Sequence, residues 1–288
     1  MFYQRRLLHT AFLIIILLTS IKIQAQELKA VQPSFDISEV FIVPTRVLFK
    51  NNSRTAEIIL LNKSQTINSY RIGFINLKMM PSGDLREVTE PDSGAYFVDS
   101  LIRFSPKQIV IEPGKSQMVR LQLIKPLSSL SGEFRSHLRF LKVPKSKALD
   151  QDTSKAVQGI GINLIPVFGV SIPVIARGND CQVKAEIRGV KMVTSAVDTT
   201  LQFELVRTGN RSLYGELIVE FYPNKGEELK IGTLKNLVLY SPVSTRKASV
   251  QITAPPSINF RDGYFMLKYY DGEDETNPEF THTIFKLE

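Results

Sequence analysis

Two kinds of chemistry are open to the residue types in this chain, and only one of them has the residues it needs. The first is catalysis or metal binding by side chains. Of the three histidines, His9 falls in an N-terminal segment that reads as a leader, which leaves His137, His282 and the single thiol of Cys181. That is too small a set of nitrogen and sulfur ligands for a zinc or copper site. The acidic run at 271–275 lacks the carboxylate spacing of a calcium loop and reads as a solvated hairpin tip. No GxSxG elbow, no P-loop and no GxGxxG after a strand occurs, and Gly159 and Gly161 belong to a strand alternation rather than a phosphate cradle. Hence no enzyme activity, cofactor or metal is expected. His137 is expected on the polar face of a strand, and Cys181 as a small apolar filler.

The second kind of chemistry belongs to the backbone. Residues 158–177, QGIGINLIPVFGVSIPVIAR, form a long run in which Ile160, Ile162 and Leu164 share one face with Gly159, Gly161 and Asn163 between them. Period-two alternation predicts a strand. The run exceeds the ~5–6 residues of an ordinary strand, so it overhangs its sheet. Pro166 and Pro173 have no N–H to give to a ladder, which places such a strand at an edge or a bulge. A long apolar edge invites pairing with another chain, and a protein that keeps one can use it to receive a partner's strand. An ordinary buried strand at the end of a sandwich is the plainer alternative for the same residues.

The elements that position this run follow from the rest of the chain. Arg5 and Arg6, an apolar block at 11–18 and Ala25 have the order of a cleaved secretory leader over residues 1–25, with a block too short to span a bilayer. No cysteine lies there to carry a lipid, and no later run reaches the length of a membrane helix, so no membrane insertion of the mature chain is expected. Arg5, Arg6 and Lys22 supply three of the eight net positive charges and no acid precedes Glu27, leaving +5 on the mature chain. The basic residues are scattered among apolar strand positions rather than clustered with aromatics, which argues against nucleic acid as a partner. With one cysteine an intrachain disulfide is excluded, so a core must provide the stability. A 43% hydrophobic composition suits two domains of ~100–150 residues each.

Short apolar runs separated by turns recur from one end of the mature chain to the other. In the first part they are 38–49, 55–62, 69–80, 104–111, 117–124 and 132–143, and the last of these sets Phe134, Leu138 and Phe140 on one face and Arg135, His137 and Arg139 on the other. Residues 144–156 read as a polar loop before the long strand, and Gly178, Asn179 and Asp180 as the boundary between domains. Beyond them strands are expected at 181–193, 200–208, 213–222, 247–254, 264–271 and 279–287, with no sustained helical period anywhere. The reading is therefore all-β, with a leader at 1–25, an immunoglobulin-like sandwich at 26–177 and a second β-sandwich at 178–288.

Several motifs in this order resemble the PapD-like periplasmic chaperones of the chaperone-usher pilus pathway: TRVLF (45–49), IEPGKSQMVRLQL (111–123), GEFRSHLRFLKVP (132–144) and the run 158–177. RTGNRSLYGEL (207–217) is similar to the second domain of non-classical members. The resemblance implies two immunoglobulin-like domains meeting in an L. It also implies that the last strand of the first domain lends alternating side chains, here Ile160, Ile162 and Leu164, to a pilin-like subunit that lacks a strand. In that family an Arg on the first strand and a Lys on the last hold the subunit's terminal carboxylate. Arg46 matches the Arg, whereas Ser171 stands where the Lys would be. An interdomain ion pair is also implied, with Glu112, Arg177 and Asp262 as loose candidates. The paired cysteines of many second domains are missing, which marks a divergent branch.

On this reading the protein is a periplasmic chaperone that binds secreted pilin-like subunits by donor-strand complementation and hands them to an outer-membrane usher. The alternative is a secreted structural or adhesive module of tandem sandwiches in a surface assembly. A hydrolase on a sandwich scaffold is the weakest of the readings.

Overall fold

Alternating sequences make strands here because every second side chain can enter a core while its neighbours face water. The structure is a computed structural model and describes residues 39–51, 53–144, 167–195, 197–256, 258–273 and 279–287. The leader expected at 1–25, the loop at 145–156 and the alternating Ile160, Ile162 and Leu164 lie outside the described residues.

Among the described residues, eleven strands precede position 178: β1 (Val40–Val43), β2 (Val47–Phe49), β3 (Thr55–Asn62), β4 (Asn68–Ile75), β5 (Leu77–Met79), β6 (Leu85–Glu87), β7 (Ile102–Ser105), β8 (Gln108–Ile111), β9 (Ser116–Leu123), β10 (Glu133–Lys142) and β11 (Gly169–Arg177). Seven described strands follow it: β12 (Val183–Thr194), β13 (Thr199–Gly209), β14 (Leu213–Pro223), β15 (Leu229–Leu239), β16 (Thr245–Ile252), β17 (Gly263–Asp271) and β18 (Glu279–Phe285). The first set forms sheets of order β1-β3-β9-β7 and β2-β11-β10-β4-β8, with β5 and β6 as a separate hairpin; the second forms β12-β13-β16 and β15-β14-β17-β18. The fold is all-β and consists of two immunoglobulin-like sandwiches.

Each sandwich closes on its own core. Ile58 and Leu60 of β3, Leu121 and Leu123 of β9 and Leu138 and Phe140 of β10 are fully buried in the first. Leu217, Phe221, Phe265 and Tyr269 are fully buried in the second. Each such side chain contributes about 1.5–3 kcal/mol when removed from water. The cores are not independent. Leu48, Met79 and Ile175, all from before position 178, pack with the second core, and the Tyr240 amide donates to Met79 Sδ at 3.4 Å.

Three expected strands divide: 69–80 becomes β4 and β5, in different sheets, and two more split at prolines. The run 38–49 becomes β1 and β2 on either side of a cis Val43–Pro44 bond, and 104–111 becomes β7 and β8 on either side of a cis Ser105–Pro106 bond. In both cases the halves join different sheets, which a proline's missing donor permits. Strand β15 has no counterpart in the sequence reading. Its pairing with β14 shifts register twice, so its apolar residues fall out of simple alternation.

Candidate functional site

The register of three adjacent strands assembles one face. Arg135 of β10 stands opposite Ile175 of β11, and Ile175 opposite Leu48 of β2; His137 stands opposite Pro173, and Arg139 opposite Ser171. Aligned residues share a face, and so do positions two apart. Arg135, His137, Arg139, Ser171, Pro173, Ile175 and Leu48 therefore form one surface, and the packing of Ile175 and Leu48 turns it toward the second sandwich. The sequence places Arg135, His137 and Arg139 on a polar face, and the structure corrects its setting: His137 is only 2% exposed. Burial pushes the His137 imidazole down to about 3, with the Arg135 charge adding to the effect.

Arg46 lies immediately before β2, and its guanidinium reaches across to the second sandwich. It packs over the Tyr214 ring at 4.3 Å and ion-pairs with Glu273. Arg177 closes β11 and is held by two carboxylates. Its Nε donates to Glu133 Oε2 at 2.7 Å, its Nη2 donates to Glu273 Oε1 at 3.3 Å, and its Nη1 bonds the other Glu273 oxygen. Glu133 also accepts from the Ser212 amide at 3.1 Å and from the Ser212 hydroxyl. Burial pushes the Glu133 carboxyl up, but the Arg177 charge and the Ser212 and Arg177 hydrogen bonds outweigh it and hold the group below its ordinary value. Burial likewise opposes the Arg177 charge, and Glu133 and Glu273 overcome it. Removing one partner from so buried a network leaves an uncompensated charge.

Glu273 is itself held in place. Its amide donates to Asp271 Oδ1 at 2.7 Å, Asp271 accepts from Arg211 Nη2 at 2.7 Å, and Lys50 Nζ donates to the Glu273 carbonyl at 3.0 Å. Gly272 passes so close to Tyr214 that a Cβ there would lie 2.9 Å from the ring. Of the acidic run at 271–275, expected as a solvated hairpin tip, residues 274 and 275 lie outside the described residues, while Asp271 and Glu273 do not face water: they are largely buried against arginines brought from elsewhere in the chain.

The other expected site residues are dispersed. Ser171 is half-buried on β11 opposite Arg139. Glu112 sits exposed in the turn between β8 and β9, where its carbonyl accepts from the Lys115 amide at 3.1 Å. Asp262 lies in an exposed turn before β17, with its carboxylate accepting from Asn259 Nδ2 at 2.9 Å. Neither takes part in the ion pairs around Arg177, which are made by Glu133 and Glu273. Both carboxylates escape a local reading, since nothing near them in sequence marks them. Cys181 is half-buried and its thiol is pushed up to about 11 by burial, with the Glu133 charge next. Asp180, in the expected boundary turn, accepts from the Gly132 amide at 2.8 Å and from Ser131 Oγ at 2.7 Å.

Among the described residues no group of His, Cys, Asp and Glu could hold a metal ion. No described helix is long and apolar enough to cross a membrane, which says nothing of strands. What the cleft offers is guanidinium groups on aromatic faces, suited to binding a carboxylate.

No family model and no curated protein matches the sequence. Among solved structures the chain is similar to the YadV chaperone, at 12% identity and a TM-score of 0.44, covering 86% of this chain and 100% of that one. It is similar to the class 5 fimbriae chaperone CfaA at 14% identity and a TM-score of 0.42, over 86% and 99% of the two chains. A third is the Pseudomonas aeruginosa CupB2 chaperone, at 13% identity and a TM-score of 0.41, over 86% and 100%.

Proposed function

We propose that the protein is a non-enzymatic periplasmic chaperone. It captures pilin-like secreted subunits by lending residues 160–164 as a strand, and delivers them to an outer-membrane usher. The observation that carries the reading is the one-sided pairing of β11. Strand β10 pairs with it from Gly169 to Arg177, whereas β2 pairs only with Val174, Ile175 and Ala176. Among the described residues the opposite edge of β11 from 169 to 173 has no strand on it, and residues 160–164 precede it in the sequence. Val167, two positions before β11, is 49% exposed, so an apolar side chain leads into this edge. Pro173 is tolerated because β2 begins one position beyond it. A subunit strand placed there would gain main-chain hydrogen bonds from β11 and side chains from Ile160, Ile162 and Leu164. The motif resemblance at 45–49, 111–123 and 132–144 supports the same reading.

The test is a double substitution, Ile162→Asp with Leu164→Asp, in the intact protein. Subunits that co-purify from the periplasm with the wild type should be lost, with the thermal midpoint unchanged. Undiminished co-purification refutes strand lending.

A second reading has one observation in its favour. Val43, Ile59 and Met118 stand in a single register row across β1, β3 and β9 and are each 43% exposed. Such a row suits a structural or adhesive module packed in a surface assembly. Cell fractionation separates the two, because a surface-retained protein fits the module and a freely released periplasmic one fits the chaperone.

A further inference from the structure

The first sandwich reaches the second at two separate places. One is the wall of the cleft, where Leu48 of β2 and Ile175 of β11 pack with the second core. The other is the β5–β6 hairpin, which leaves from β4, three strand spacings or about 14 Å across the sheet from β2. Its two strands form a sheet of their own, and all three residues of β6 are exposed. A lone hairpin of this kind is marginally stable in water, so what it docks on must hold it. Toward its own sandwich it makes the Lys78–Asp92 pair at 2.7 Å and the Arg139–Glu87 pair at 3.6 Å, both between exposed side chains and so weak. Toward the second sandwich it makes three contacts of another kind. The Met79 side chain is 3% exposed within the second core, and its Sδ accepts from the Tyr240 amide at 3.4 Å. The Pro81 carbonyl accepts from the Lys247 amide at 2.8 Å, on the edge strand β16. Gly83 takes a φ of +93°, which glycine adopts freely, and lies so close to Arg246 that a Cβ there would be 2.5 Å from Nε. Arg246 is anchored in turn by the Val238 carbonyl, to which its Nη1 donates, and its Nε is buried against the turn without a hydrogen-bond partner.

We propose that the β5–β6 hairpin is a strap that fixes the angle between the two sandwiches and holds Tyr240 as the wall of the cleft facing Arg135 and His137. Domains joined at one patch rock about it by default, whereas attachment at two points about 14 Å apart removes that freedom. Tyr240 is the residue the strap controls. Met79 takes its amide, Arg246 holds the Val238 carbonyl two residues before it, and its ring lies under the Arg135 guanidinium at 4.0 Å and meets His137 edge-on at 5.9 Å. Arg135 and His137 belong to β10, which pairs with β4 on one side and β11 on the other. The strap therefore acts on the edge of β11 through Tyr240 and β10, without touching a chain seated on that edge. Such a chain meets a second sandwich already set in place, which leaves less ordering to be done on binding. The strap does not depend on the strand-lending reading, because its contacts are the protein's own.

The experiment uses the intact protein, weakly aligned in a stretched polyacrylamide gel, with backbone N–H residual dipolar couplings collected for both sandwiches and amide exchange followed alongside. In the wild type one alignment tensor should fit both sandwiches in the orientation the structure gives them; two tensors of unequal magnitude mean that they rock, and overturn the strap. Gly83→Val puts a β-branched side chain at a positive φ and against Arg246. The tensors of the two sandwiches should then diverge, and the Tyr240 and Lys247 amides should exchange about five- to tenfold faster, the size of one lost hydrogen bond. Arg246→Ala leaves the turn unstrained and should do the same, so a Gly83→Val chain that does not fold still leaves a variant to measure. A single unchanged tensor in these variants, whatever the exchange rates, makes the hairpin mere packing and refutes the proposal. Leu121→Ala thins the first core, which Met79 does not enter. It should lower the unfolding midpoint and keep one tensor; a split tensor there would make the angle a consequence of overall stability, and the strap would fall. The Ile162→Asp, Leu164→Asp protein should keep the single tensor, so failure of strand lending and failure of the strap are read separately.

Discussion

Substituting His137 by glutamine should change how stability depends on pH far more than it changes stability at neutrality. In the folded chain the imidazole is buried beside Arg135 and against Tyr240, which pushes its pKa down to about 3 from an ordinary 6.5. The unfolded chain thus binds a proton on this residue well before the folded chain does, and stability falls as pH drops from about 6.5 toward 3. One proton taken up only by the unfolded state is worth about 1.4 kcal/mol per pH unit. Between pH 7.5 and pH 4.5 the wild type should therefore lose about 2–3 kcal/mol more than the variant. That window also isolates the effect. Glu133 and Asp180 have folded-state carboxyls held below their ordinary values, so the stability they confer is present above the unfolded pKa values of 4.5 and 3.8 and is lost only at lower pH. Urea unfolding midpoints at half-unit steps, for wild type and His137→Gln, give the comparison directly. Parallel curves across the window would refute the burial argument, whatever the absolute stabilities.

Two other substitutions probe the seam between the sandwiches. Glu133→Ala leaves Arg177 with Glu273 alone and deprives the Ser212 amide and hydroxyl of their acceptor; denaturant unfolding should show a loss of about 3–5 kcal/mol. Ile175→Ala removes a fully buried side chain that packs with the second core from a strand of the first sheet pair. It should cost about 2–5 kcal/mol, against about 0.5–1.5 for Ile175→Val, both read from the same unfolding curves.

The strands were the most readable part of this chain, and their sheet membership the least. β3, at Thr55–Asn62, coincides with its alternation because all of its residues serve one sheet. Alternation survives when a strand crosses from one sheet to another, so nothing in 38–49 announces that β1 and β2 pair with different neighbours. β15 escaped for the opposite reason, since its register shifts break the very pattern that marks a strand. The site divides in the same way. Arg46 is reachable through the short motif TRVLF, and Arg135 through the polar face of 132–143. Glu133, Ser212 and Glu273 come from points far apart in the chain and meet only through tertiary structure. The acidic run at 271–275 reads as a water-facing turn because a sequence cannot show that Arg46, Arg177 and Arg211 will arrive to pair with Asp271 and Glu273.

The burial of Leu48, Met79 and Ile175 among second-sandwich side chains bears on how the protein can be divided for study. Cutting the gene after codon 177 would strip all three at once and turn an internal seam into a greasy patch. A fragment made that way should aggregate on expression, and mapping binding by expressing halves would report that stickiness rather than recognition. Point substitutions in the whole polypeptide are the sounder tool.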